Sequence, residues 1–261
     1  MIDLAYVIAS LLSGALVGFT LGLVGGGGSI LAVPLMVYVV GVASPHIAIG
    51  TSALAVAVNA ATGLLQHARK GTVKWRCGLV FAAAGMLGAL GGSTLGKNFD
   101  GDKLLFLFAL VMIAVGAMML RKRSGADDGA VVLGRDNAPK LLGFGLGSGI
   151  FSGFFGIGGG FLIVPGLMAA TRMPMINAVG TSLVAVTAFG LTTAANYAVS
   201  GLVDWVLAGL FIAGGVLGGF GGAALARRLS GTGALTRVFA GLIFVVAAYM
   251  LWQSAAAVGI G

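Results

Sequence analysis

A chain of 261 residues that is 59% hydrophobic and 8% charged, with a mean hydropathy of +1.08, lies far outside the composition of soluble domains and points to the lipid bilayer as its surroundings. Its formal charge of +8 sits in short loops between apolar runs, with no basic stretch interleaved with aromatics, so it reads as membrane topology and no nucleic-acid partner is expected. The one cysteine, Cys77, excludes an intramolecular disulfide and a cysteine-rich metal site.

The start, MIDLAYVIAS, has no basic n-region and no small-residue cleavage site, so the apolar run 4–24 is expected to be a first span and not a removed signal. Four consecutive glycines follow within GLVGGGGSILAVP, and then a segment, 29–42, too short to span comfortably. Runs 46–65, 75–95 and 104–120 complete the first half. The polar stretch 121–140, RKRSGADDGAVVLGRDNAPK, reads as a cytoplasmic linker. Beyond it come 141–155, the short 160–170, and then 175–199, 205–226 and 235–252. The long runs are apolar on nearly every face and do not alternate, which predicts helices and argues against a barrel.

These runs form two copies of one unit. GLVGGGGSILAVPLM matches GFFGIGGGFLIVPGLM, and the register continues. Gly50-Thr51-Ser52 recurs as Gly180-Thr181-Ser182, Gly71 as Gly201, Trp75 as Trp205, Gly85 as Gly215 and Gly88 as Gly218, while Gly14 and Gly18 find Gly145 and Gly149. The expected organisation is a first transmembrane repeat, 1–120, the linker, 121–140, and a second repeat, 141–261.

Charge gives the orientation. The loop QHARKGTVKWR carries Arg69, Lys70, Lys74 and Arg76, whereas its counterpart VSGLVDW carries only Asp204. The next pair reverses: Lys97 and Lys103 are offset by Asp100 and Asp102, but Arg227, Arg228 and Arg237 have no acid near them. Corresponding loops therefore fall on opposite sides, and inverted copies with both termini outside leave only Lys97 and Lys103 of the basic residues outside. The fold class is an all-α polytopic helical bundle of two inverted repeats, each with about five apolar segments and one short or broken segment.

Inverted repeats with interrupted helices are the pattern of secondary transporters, whose site lies between the repeats near the bilayer midplane. Glycine frees the backbone to turn and to approach a ligand, and a helix start beyond each break would aim N–H groups at an anion. The expectation is that Gly26, Gly27, Gly28 and Ser29 in one copy, with Gly158, Gly159 and Gly160 in the other, close together on one small anionic substrate. Thr51, Ser52, Thr181 and Ser182 would complete its shell, since they begin the helices after the breaks. Ser52, Asn59, Thr62 and Gln66 share one helical face, and the second copy keeps Ser182, Thr192 and Asn196 there but has Phe189 at the position of Asn59. Asn59, Gln66 and Asn196 are therefore also candidate substrate-binding residues, with interhelical hydrogen bonding as the alternative role. Gly85, Gly88, Gly91 and Gly92 are expected to serve packing.

There is no glutamate, and the seven aspartates lie near predicted ends or loops. That removes a buried carboxylate as proton relay or cation site. His46 and His67, the only histidines, fall near helix ends and read as interfacial. Serines beside glycine, as in GLGSG, resemble those of an intramembrane serine protease only faintly, because no mid-span histidine partners them. No catalytic residue, cofactor or metal site is expected. An anion channel or a non-catalytic scaffold subunit of a membrane complex is the alternative; concentrative transport separates the first, and the two matched helix breaks argue against the second. Homo-oligomerisation stays open.

The doubled glycine run followed by Val-Pro (Gly25–Pro34 and Gly156–Pro165), Gly-Thr-Ser at the start of the next helix, and the G-x-V-x-W stretches Gly71–Trp75 and Gly201–Trp205 resemble the TauE/SafE family, also called TSUP. The resemblance covers nearly the whole chain except the linker. It implies a multi-pass permease of the bacterial or archaeal cytoplasmic (inner) membrane for sulfite, sulfonates such as sulfoacetate, thiosulfate or related anions.

Overall fold

The computed structural model describes residues 3–120, 137–156, 160–229, 241 and 243–253. Helix α1, Leu4–Val24, starts on Asp3, whose carboxylate accepts from Ala5 N at 3.2 Å. The first broken segment is a 3-10 turn, Gly25–Leu31, a single turn of α-helix, α2, Ala32–Pro34, and a π turn, Leu35–Val39. Four glycines favour no helix, and Pro34 removes one backbone donor, so the hydrogen-bond register changes twice within fifteen residues (25–39). The remaining helices are α3, Pro45–Arg69, α4, Trp75–Lys97, α5, Gly101–Leu120, α6, Ala138–Phe155, α7, Gly160–Thr171, α8, Met175–Val199, α9, Trp205–Leu229, and α10, Ile243–Gln253. By length and composition, five of these are able to cross a membrane. Residues 121–136 of the expected linker lie outside the described residues, and α6 begins inside its expected span, at Ala138, with Pro139 in the first turn.

Two glycine seams organise the bundle. Gly14, Gly18 and Gly22 of α1 lie on the backbone of Phe211, Gly215 and Gly219 of α9, and a Cβ at Gly18 would overlap the Gly215 carbonyl. Gly145, Gly149 and Gly153 of α6 lie in the same way on Phe81, Gly85 and Ala89 of α4. Each seam repeats every four residues, one helical face, and close backbone approach is what small residues provide in a membrane. Gly88 and Gly92 also face α6, as expected of packing residues, but a Cβ at Gly91 would meet nothing within 4 Å.

Both seams join a helix of one repeat to a helix of the other. Two cross-repeat bundles result, α1 with α9 and α3, and α6 with α4 and α8, and they meet chiefly along α3 and α8. Gly50 abuts Tyr197, Gly190 abuts Ala53 and Ala57, and Gly63 abuts Leu183, so α3 and α8 run antiparallel. Equivalent helices that oppose each other require inverted copies. In both seams, by contrast, residue numbers rise together, so α1 runs parallel to α9 and α4 to α6. It follows that α1 is parallel to α3, and α6 to α8. Each short segment therefore carries the chain from one end of the bundle back to the other, as a crossing and not a re-entrant loop.

Candidate functional site

The expected site divides in three. Gly25, at φ +71°, begins the first break, and a Cβ there would come 2.7 Å from Val179 Cγ1 in the first turns of α8. Gly156, at φ +67°, begins the second and lies against Ile49, the residue of α3 equivalent to Val179. Positive φ is where glycine is favoured, and the matched contacts show one device used twice. The levels differ, however. Gly180, beside Val179, abuts His67, whereas Gly156 abuts Ile49, and residues 49 to 67 of α3 span about 27 Å along the helix axis. The two glycine turns stand toward opposite ends of the bundle. Between them, the 3-10 turn Gly25–Leu31 of the first break packs against α7, the helix that follows the second.

Gly26, Gly27, Gly28 and Ser29 all lie in the 3-10 turn. Gly28 is folded back on Thr20 and Leu21 of α1, and its carbonyl accepts from Thr20 Oγ1 at 3.2 Å. Ser29 is buried. Gly160 is the first residue of α7, while Gly158 and Gly159 lie outside the described residues.

The hydroxyls at the helix starts are buried and have structural partners. Thr51 Oγ1 accepts from Asp204 N at 3.0 Å, and Thr181 Oγ1 from Lys74 N at 2.9 Å. Each thus satisfies an N–H just before the helix that starts at Trp205 or Trp75. Ser52 Oγ donates to Ile49 O at 3.0 Å and to Gly156 O at 3.4 Å, tying α3 to the second break. Ser182 Oγ donates to Val179 O at 2.7 Å. An anion shell would compete with these bonds.

Gln66 and Asn196 fall at opposite ends of the α3–α8 pair. Gln66 is half-buried. The Asn196 amide is fully engaged: Oδ1 accepts from Lys97 Nζ at 2.9 Å, and Nδ2 donates to Ser93 Oγ at 2.6 Å and Thr94 Oγ1 at 3.0 Å. Lys97 lies in the last turn of α4, not in the loop where it was expected.

Asn59 is different. It lies about midway along α3, between the levels of the two breaks, is 3% exposed, and rests on the Gly215 backbone. Neither its Nδ2 nor its Oδ1 has a hydrogen-bond partner among the described residues. A buried polar group left so costs about 1–3 kcal/mol. Its counterpart Phe189 rests on Gly85 and stacks on Phe81, ring centroids 6.2 Å apart. Three buried hydroxyls, of Ser152, Thr193 and Tyr197, are also without partners among the described residues. The sequence pattern gave Lys97 only a topological role and Tyr197 none; their register against Arg227 and His67 was the available signal.

The family described as Sulfite exporter TauE/SafE matches residues 10–250. A probable membrane transporter protein of Xylella fastidiosa (strain Temecula1) is 54% identical over 251 residues, 95% of each chain. The probable membrane transporter protein YunE of Bacillus subtilis is 28% identical over 237 residues, 83% of this chain and 87% of its own. One from Methanocaldococcus jannaschii, MJ0441, is 29% identical over 180 residues, 64% of this chain and 65% of its own. No solved structure matches the chain.

Proposed function

The chain belongs to the sulfite exporter TauE/SafE family of membrane transporters, and from that premise we propose that it is a secondary permease for a small sulfur oxyanion or organosulfonate. Its substrate passes between the two glycine breaks by way of Asn59, while the two cross-repeat bundles rock against each other along α3 and α8. The permease sits in a bacterial or archaeal cytoplasmic membrane, with the basic loop 69–76 on the cytoplasmic side.

The observation that carries this reading is the Asn59 amide at mid-depth, which has no partner among the described residues. A polar group is kept in a hydrocarbon setting at a cost, and such groups in membrane proteins mark substrate paths. An amide offers a donor and an acceptor together. A protonated oxyanion such as hydrogensulfite, or an aminosulfonate such as taurine, brings both complements and satisfies both atoms.

The test is the thermal stability of the purified protein against sulfite, thiosulfate, sulfate, sulfoacetate, taurine and simple carboxylates, for wild type and Asn59→Ala. A ligand at a hundred times its Kd stabilises the native state by about 2.7 kcal/mol. Wild type should be stabilised by a sulfur anion, and Asn59→Ala should lose that shift while unfolding no earlier without ligand, since it sheds two unsatisfied atoms. A variant that keeps the shift would overturn the Asn59 site, and absence of any shift would overturn the anion. Uptake against a gradient in proteoliposomes then separates a permease from a channel.

A further inference from the structure

Where α4 ends against the end of α8, the chain places a cation among neutral groups. Lys97 Nζ donates to Asn196 O at 3.1 Å, Asn196 Oδ1 at 2.9 Å and Ser200 Oγ at 2.9 Å. None of these acceptors carries charge. The nearest acid in sequence, Asp100, turns to its own loop, where Oδ1 accepts from Lys103 N at 3.0 Å. The residue of α8 that follows Asn196 carries an unsatisfied group. Tyr197 is wholly buried and reaches from Gly50 of α3 to Gly96 of α4, where its hydroxyl would lie 3.2 Å from a Cβ. That hydroxyl has no partner among the described residues.

The grouping recurs in the sequence at the other end. Lys97, Asn196 and Tyr197 occupy the register positions of Arg227, Gln66 and His67: a cation, an amide and a ring with a polar hydrogen to give, twice, in inverted copies. Both groupings stand at the level of a glycine break, Gly156 beside the first through Ile49 and Gly25 beside the second through Val179.

We propose that Lys97 and Tyr197 form a capture subsite for the transported oxyanion at the end of the bundle away from the basic loop 69–76, a reading that rests on the anion permease above. The arriving anion takes the ammonium from the oxygens of Asn196 and Ser200 and accepts the Tyr197 O–H. The exchange is favourable because an anion adds an ion-pair attraction that the neutral oxygens of Asn196 and Ser200 do not offer the ammonium, and because the tyrosine gains a partner it lacks among the described residues. The anion is then one step from Gly156 and the path to Asn59. Charge at the mouth and neutral amide at mid-depth divide attraction from passage, so the ion is not trapped by a buried cation.

The experiment is transport of sulfite, with thiosulfate in parallel, by the full chain in proteoliposomes of defined orientation, measured from each side for wild type, Lys97→Gln, Lys97→Arg and Tyr197→Phe. From the Lys97 side, Lys97→Gln should raise the half-saturating concentration about tenfold with the maximal rate kept, Lys97→Arg should restore most of it, and Tyr197→Phe should raise it about threefold. From the opposite side all four proteins should match. Tyr197→Phe is the discriminating variant, because its hydroxyl has no hydrogen bond to lose among the described residues and its removal should leave thermal stability unchanged or higher. Unchanged half-saturation in both Lys97→Gln and Tyr197→Phe, or equal loss from both sides, would overturn the subsite while leaving the permease standing. A wild-type protein that neither moves nor is stabilised by any sulfur anion would remove the anion reading and the subsite with it.

Discussion

Asn59 and Phe189 occupy equivalent places in the two repeats, each resting on a glycine of the opposite seam, Gly215 or Gly85. The backbone around them is matched to the level of individual contacts: Thr51 to Asp204 as Thr181 to Lys74, Gly25 to Val179 as Gly156 to Ile49. Yet one position offers a bare amide to the core and the other a stacked aromatic ring. The difference teaches that the symmetry belongs to the scaffold and the chemistry does not share it. Glycine seams and threonine caps must be kept in both copies because each supports the other copy, whereas a side chain that supports nothing is free to differ.

The comparison breaks most severely at the seams. Gly18→Leu and Gly149→Leu each drive a side chain into the backbone of the facing helix, and each should abolish recovery of folded protein, a loss above about 4 kcal/mol. Size-exclusion profiles of the extracted variants check this, and a folded, active Gly149→Leu beside a lost Gly18→Leu would refute the equivalence of the seams. At the next level, Asn59→Phe makes the first copy resemble the second. It should leave the protein folded, as Phe189 already demonstrates for the same geometry, and lower sulfite uptake about a hundredfold. Thr51→Val and Thr181→Val remove one acceptor each at nearly constant shape and should each cost about 1–2 kcal/mol in chemical unfolding. Near-equal values would sharpen the pairing of the two caps. The smallest effect is expected at Gly71 and Gly201, which end α3 and α8 at φ +67° and +70° with open space where a Cβ would go. Alanine at either should cost about 1 kcal/mol, from backbone conformation alone, read as a lowered Tm.

Much of this was legible in the sequence. The repeat, its inversion and the positions of both breaks followed from matched glycines and from loops of opposite charge. The depth of the breaks did not follow, because a glycine run marks where a helix stops and not the level at which it meets its neighbour; only the contacts of Gly25 with Val179 and Gly156 with Ile49 set that level. Thr51 and Thr181 were expected to face a ligand, and a buried hydroxyl at a helix start suits that role equally well from sequence. The N–H that Thr51 accepts is 153 residues away in the chain, beyond the reach of local pattern. Asn196 had the same ambiguity, and in the structure Lys97, in the last turn of α4, donates to its amide oxygen. Asn59 keeps the character its polar stripe suggested: it is buried, and neither of its side-chain atoms finds a partner among the described residues.

The crossed seams also bear on how the protein is made. Ribosomes deliver α1 to the membrane among the first segments, but the surface it is shaped to meet belongs to α9, which emerges only after most of the chain has been translated. Until then the groove of Gly14, Gly18 and Gly22 lies open to lipid. Native contacts of such wide sequence separation make assembly slow, and neither repeat completes its packing alone. A chain truncated after the first repeat would insert its helices and still lack a folded protein, so synthesis of this transporter is committed only near its end.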